Sequence, residues 1–148
     1  MNKTDVSEDH IQDNAIQAPE SDYLYVKPSQ IENAGKGLFT AVDIYEDEVI
    51  SLFKGEILSS QVADLRVAQG DDQYFIILLN GQIMDSKHVD CYAKYANDAE
   101  GFSKGSFKNN AMITLDDEDN VCIMATRYIE TGEEVFCGYG KPYWKKHG

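Results

Sequence analysis

Tyr74-Phe75-Ile76-Ile77-Leu78-Leu79-Asn80-Gly81-Gln82-Ile83-Met84-Asp85 decides the fold class. Two apolar, β-branched runs flank Asn80-Gly81, the strongest short-range hairpin signal a sequence carries. The same grammar recurs downstream, where Ala111-Met112-Ile113-Thr114-Leu115 and Val121-Cys122-Ile123-Met124-Ala125 flank a polar tip over residues 116–120. That tip lacks the acidic spacing of an EF-hand loop and reads as a solvated turn. Upstream, Tyr23-Leu24-Tyr25-Val26, Leu38-Phe39-Thr40-Ala41-Val42 and residues 48–53 read as strands, with turn signals at residues 32–37 and at Tyr45-Glu46-Asp47. Only Ser59 to Ala68 reads as a helix, with a Ser cap, apolar residues at helical spacing and a terminating Gly70. Many short strands and one short helix predict a mainly β domain, and no internal repeat is visible.

At 148 residues the chain has room for one domain with a tail, and 43% hydrophobic residues with nine Tyr, six Phe and one Trp suffice for a core. The first 22 residues set Asp5, Glu8, Asp9, Asp13, Glu20 and Asp22 against Lys3, without an aromatic side chain. They read as a disordered acidic tail over 1–22, with the folded domain over 23–148. Thirteen Lys and Arg against 26 Asp and Glu give a net charge of −13. Such a field repels nucleic-acid phosphates and anionic lipid headgroups and draws in cationic peptides. Cys91, Cys122 and Cys137 are odd in number and form no C-x-x-C pair, and His88 with Cys91 lacks two further ligands. Reduced intracellular thiols and no metal are therefore expected. Neither an export signal nor a run of about 18 apolar residues is present. The expected location is intracellular, cytoplasmic in a bacterium, with the nucleus open for a eukaryotic or viral source.

Gly35-Lys36-Gly37 fails as a phosphate loop, and Thr40 stands where a dinucleotide fingerprint needs its third glycine. It is either a tight turn or a loop that lets something approach the backbone closely. Gly138-Tyr139-Gly140, followed by Pro142, Tyr143 and Trp144, places a phenol beside an aromatic wall or forms an aromatic clasp on the core. No G-x-S-x-G elbow is present, and His88 is the only histidine away from the chain ends.

Four segments taken in order resemble the SET-domain protein lysine methyltransferases. Ala34-Gly35-Lys36-Gly37-Leu38-Phe39-Thr40 is similar to the family's glycine-rich motif, and Phe53-Lys54-Gly55-Glu56 to its aromatic-x-Gly motif. Lys94-Tyr95-Ala96-Asn97-Asp98, with Asn110-Ala111, resembles its R-F-I-N-H and following P-N segments. Residues 125–140, with Gly132-Glu133-Glu134 and the terminal Tyr139-Gly140, resemble its last motif. The resemblance implies a minimal SET domain without zinc modules: several small sheets, a short helix and a knot-like C-terminal passage. It implies S-adenosylmethionine as cofactor, approached by Gly35, Lys36, Gly37 and Leu38, held by Asn97 and Asp98 and stacked on by Trp144. It implies Tyr139 as the catalytic phenol and a lysine channel lined by Phe53, Phe136, Cys137 and Tyr139, with a lysine-bearing basic protein or peptide as substrate. Small Cys137 then predicts room for more than one methyl group. Asp98 stands where the family usually has His, Lys94 where it has Arg, and Phe53 where many members have Tyr. A catalytically silent module that binds basic peptides is the alternative.

Overall fold

The computed structural model describes residues 15–78, 80–100 and 107–138. In chain order its elements are a one-turn helix α1 (Glu20–Tyr23), strands β1 (Leu24–Pro28), β2 (Lys36–Thr40), β3 (Val49–Leu52) and β4 (Glu56–Leu58), and helix α2 (Ser60–Ala68). Strands β5 (Phe75–Ile77) and β6 (Ile83–Asp85), a 3-10 turn (Ala93–Tyr95), and strands β7 (Ala111–Leu115), β8 (Val121–Ala125), β9 (Glu134–Val135) and β10 (Cys137–Gly138) follow. The strands form three sheets, ordered β1-β2-β9, β10-β7-β8-β3 and β4-β6-β5. The mainly β reading holds, and α2 starts where the sequence puts it, with Ser59 Oγ accepting from Val62 N at 3.2 Å.

Leu24, Leu38, Ile44, Ile50, Ile113 and Ile123 belong to one core between the first two sheets. A smaller cluster of Ala63, Phe75 and Ile83 sits under α2. Two strand readings shift. β2 begins at Lys36 rather than Leu38, and it ends at Thr40, whose hydroxyl donates to Val42 O and accepts from Val42 N. The Asn80-Gly81 turn is wider than two residues: Leu78 N donates to Gln82 O and Gly81 N to Leu78 O.

A short internal repeat, unseen at the level of sequence, joins the sheets. Ile44-Tyr45-Glu46-Asp47-Glu48 and Ile129-Glu130-Thr131-Gly132-Glu133 fold alike. Their fourth residues take left-handed φ, 72° at Asp47 and 92° at Gly132. Each fifth-residue carboxylate turns back on the second residue, Glu48 accepting from Tyr45 N at 2.8 Å and Glu133 from Glu130 N at 2.6 Å. The two copies then bond reciprocally. Ile44 and Ile129 exchange N–H···O bonds, Asp47 N donates to Ala125 O as Gly132 N does to Thr40 O, and Ala125 N reaches Glu48 O as Thr40 N reaches Glu133 O. Short polar side chains and glycine mask the likeness in sequence, because either satisfies a left-handed turn.

The N-terminal boundary also moves. Residues 1–14 lie outside the described residues, but residues 15–22, read as part of a tail, dock on β3. Ala15 bridges Val49 in parallel, and Ile16 packs against the main core. The Glu20 carboxylate accepts from Ser51 Oγ at 2.6 Å and from Leu52 N at 2.9 Å. One carboxylate and one isoleucine inside an acidic stretch are too sparse to announce themselves. Just beyond, the buried Tyr23 hydroxyl donates to Ile50 O, and burial, then Glu20 and Glu48, push its pKa up. Glu20→Ala removes the acceptor from Leu52 N and is expected to cost about 1–3 kcal/mol, lowering Tm by roughly 3–8 °C. A thermal melt identical to wild type would refute the docking.

Candidate functional site

The segment from Glu134 to Gly138 is the hub of the site. Its first two residues pair with β2 and its last two run parallel to β7, so Phe136 passes from one sheet to the next. Buried Asn110 fastens that crossing: its Oδ1 accepts from Phe136 N at 2.8 Å, and its Nδ2 donates to Glu134 O at 2.9 Å. Phe136 O in turn accepts from Asn110 N and Ala111 N. From the other side, Asn97 O accepts from Cys137 N at 2.8 Å. The Asn97 side chain reaches away from that crossing and donates to Lys36 O at 3.0 Å. One asparagine thus ties the glycine-rich strand to the C-terminal segment.

Glycine-rich residues divide by role. Gly35, exposed at φ 75°, has nothing within 4 Å of where a Cβ would stand. Lys36 is also exposed and shares its carbonyl with Asn97. Gly37 answers to the protein itself, because a Cβ there would strike the Glu134 carboxylate. That buried carboxylate accepts from Ser29 Oγ at 2.7 Å and Gln30 N at 2.8 Å, holding the loop before β2 against β9. Leu38 is wholly buried and paired with both Val26 and Val135. Its side chain belongs to the main core.

Asp98 turns back on its own loop, Oδ1 accepting from Asn109 Nδ2 at 2.9 Å and Glu100 N at 3.0 Å. Half-buried Phe53 packs against the main core and donates its N–H to Val121 O. Buried Phe136 lies against Phe107, ring centroids 5.2 Å apart. Cys137 is 0% exposed and part of the main core, and burial, then Asp98 and Cys122, push its thiol well up. In the described residues it is a packing residue, so the open-pocket argument from its small size gains no support from its surroundings. Tyr139 and Trp144 lie outside the described residues.

Lys94 fills the arginine position by a structural route. Its ammonium donates to Ser86 O, Lys87 O and Val89 O at 3.0, 3.0 and 3.1 Å and lies over the rings of Tyr74 and Tyr95. Three donors meet three carbonyls, which a point-charge ammonium does as well as a guanidinium. Sequence reasoning missed Asn110 and Glu134 as organisers of the site. Both lie in quoted motifs, but their partners are set by tertiary contacts. A half-open cleft of about 460 Å³ between α2 and the β5–β6 turn contains none of the expected site residues.

What the arrangement offers a ligand is a rim of open space at Gly35, a polar edge at Lys36 and Asn97, and buried aromatic surface at Phe136 leading into residue 138. With nothing within 4 Å of where its Cβ would stand, Gly35 admits close approach to the backbone there. Residues 35–140 match the SET domain family. The fold is similar to that of an autoinhibited ctPRC2 bound to S-adenosylmethionine, with a TM-score of 0.65 and 27% identity over 82% of this chain and 15% of that one. It is also similar to a humanized mutant of the Chaetomium thermophilum Polycomb Repressive Complex 2 bound to an inhibitor, with a TM-score of 0.66 and 27% identity over 81% of this chain and 15% of that one. The chain therefore spans about 15% of the length of these relatives.

Proposed function

Because the chain belongs to the SET domain family over residues 35–140, we propose that it is an S-adenosylmethionine-dependent methyltransferase acting on the side-chain amine of lysine in a basic protein. The observation that carries this reading is the pair of hydrogen bonds made by Asn97, whose side-chain amide donates to Lys36 O and whose backbone carbonyl accepts from Cys137 N, bringing three separate motifs together one residue before Gly138-Tyr139. When bound, S-adenosylmethionine supplies an electrophilic methyl group. Gly35, Lys36 and the Asn97–Asp98 turn form the edge on which the cofactor rests. Phe53 and Phe136 provide apolar walls, where desolvation favours the neutral amine that nucleophilic attack requires. The Tyr139 hydroxyl orients that amine, so alignment supplies most of the catalysis. A net charge of −13 draws lysine-rich segments toward the domain.

Incubation with labelled cofactor and basic protein, followed by mass spectrometry of the labelled lysine, tests the activity. Absence of both transfer and cofactor binding by calorimetry would leave only a peptide-binding module. Tyr139→Phe keeps the ring and is expected to cut turnover at least about tenfold with cofactor affinity nearly unchanged. Wild-type turnover in that variant would remove the phenol from the mechanism.

A further inference from the structure

Two tyrosines stand in solvent on the paired turns joined at Ile44 and Ile129. Tyr45 follows Ile44 and Tyr128 precedes Ile129, so the antiparallel bridge sets them side by side. Their ring centroids are 5.4 Å apart with the planes 37° apart, yet Tyr45 remains 56% exposed and Tyr128 45%. Their mutual contact hides only part of each ring. Asp43 is fixed on the same pair of turns, its carboxylate accepting from Thr131 N and Oγ1 at 2.9 Å each.

The surroundings are acidic. Residues 41–48 and 126–133 carry Asp43, Glu46, Asp47, Glu48, Glu130 and Glu133 against a single base, Arg127. That guanidinium is turned to Tyr128 O at 2.9 Å. The Tyr128 phenol is pushed up by desolvation, then by Asp43, Glu130 and Tyr45, in keeping with a negative field at the ring. An exposed aromatic face amid carboxylates selects cations, because ring quadrupole and carboxylate attract the same charge. None of the expected cofactor or lysine-channel residues belongs to this surface.

We propose that the Tyr45–Tyr128 ledge is a docking site for a basic segment of a protein, with lysine or arginine side chains lying on the two rings. Identifying that segment as the flank of the methylated substrate rests on the reading under Proposed function; the docking itself does not. On that reading the ledge acts on affinity for extended substrates and leaves the chemical step alone.

Fluorescence anisotropy of labelled oligo-lysine and oligo-arginine peptides at about 0.15 M salt, where long-range attraction is screened, tests it directly. Tyr45→Ala/Tyr128→Ala leaves the charge unchanged and is expected to weaken binding roughly five- to tenfold, while Tyr45→Phe/Tyr128→Phe stays within about threefold. Should the alanine pair unfold, Glu46→Lys/Glu130→Lys replaces it, with a loss of at least about tenfold expected. Wild-type affinity in the alanine or charge-reversed variant, or no binding by the wild type, overturns the proposal. Ring-dependent binding by a protein that transfers no methyl group upholds the ledge and overturns the methyltransferase reading instead.

Discussion

Asn110→Ala is expected to lower stability by about 2–4 kcal/mol, a fall in Tm of roughly 5–15 °C, the largest single-residue effect in the hub. The side chain is 1% exposed and contributes two bonds to backbone groups of the crossing segment. Truncation strands Phe136 N and Glu134 O where water cannot replace the lost partner, so each group bears its desolvation cost. Asn110→Asp separates the two bonds: it keeps the acceptor for Phe136 N and turns a carboxylate toward Glu134 O. It is expected to be nearly as damaging as alanine. On the proposed function, loosening this crossing should also lower methyl transfer at temperatures below the unfolding transition. Thermal melts and initial rates on the same samples decide the matter, and a Tm within about 1 °C of wild type would sink the clamp.

Gly55→Ala is expected to cost about 2–3 kcal/mol by overpacking. A Cβ at Gly55 would stand 2.5 Å from Asp85 O and 2.7 Å from Asp85 C, and backbone atoms cannot swing aside as a flexible side chain does. β4 must then move off β6, disturbing the pairing of Glu56 with Asp85. The buried Asp85 carboxylate accepts from Arg66 Nη1 at 2.7 Å and Lys87 N at 3.0 Å, so this shift also strains a satisfied charge. The effect should be confined to the third sheet. Hydrogen exchange is expected to accelerate in β4, β5 and β6 with β1 and β2 protected as in wild type; uniform protection throughout would show that the strand tolerates the methyl group.

Local signals made much of this legible. The β7–β8 hairpin lies within fifteen consecutive residues, Ala111 to Val121-Cys122-Ile123-Met124-Ala125, and its alternation and polar tip both speak for it. Ser59 and the spacing of Val62, Leu65 and Val67 announce α2, although Ala63 is its only buried residue. What the sequence hides is two-residue β9 and β10, whose partners lie in β2 and β7. No periodicity exists over two residues, so only distant pairing defines them. The same limit explains Leu38 and Cys137. Each lies in or beside a motif that suggests ligand contact, and each is claimed by the core. Gly37 and Gly55 look alike in sequence as motif glycines, yet one makes room for a carboxylate and the other for a backbone. Asn97 stands out within its motif, but its carbonyl's bond from Cys137 N, set by tertiary contact, does not.

The reciprocal turns at residues 44–48 and 129–133 have a consequence for how the protein is made. Each copy lends the other backbone donors and acceptors that it cannot supply itself, and the first leaves the ribosome long before the second. Until Ile129 emerges, Ile44 has no partner for its exchanged bonds, and β2 lacks the β9 edge that follows immediately after the second turn. Non-local pairing of this kind delays the reward for closing a long loop, so acquisition of the native state should be slow and late in synthesis. Nascent chains stopped before residue 129 would be protease-sensitive throughout their β1–β3 region, whereas chains carried past the second turn would acquire resistance in one step.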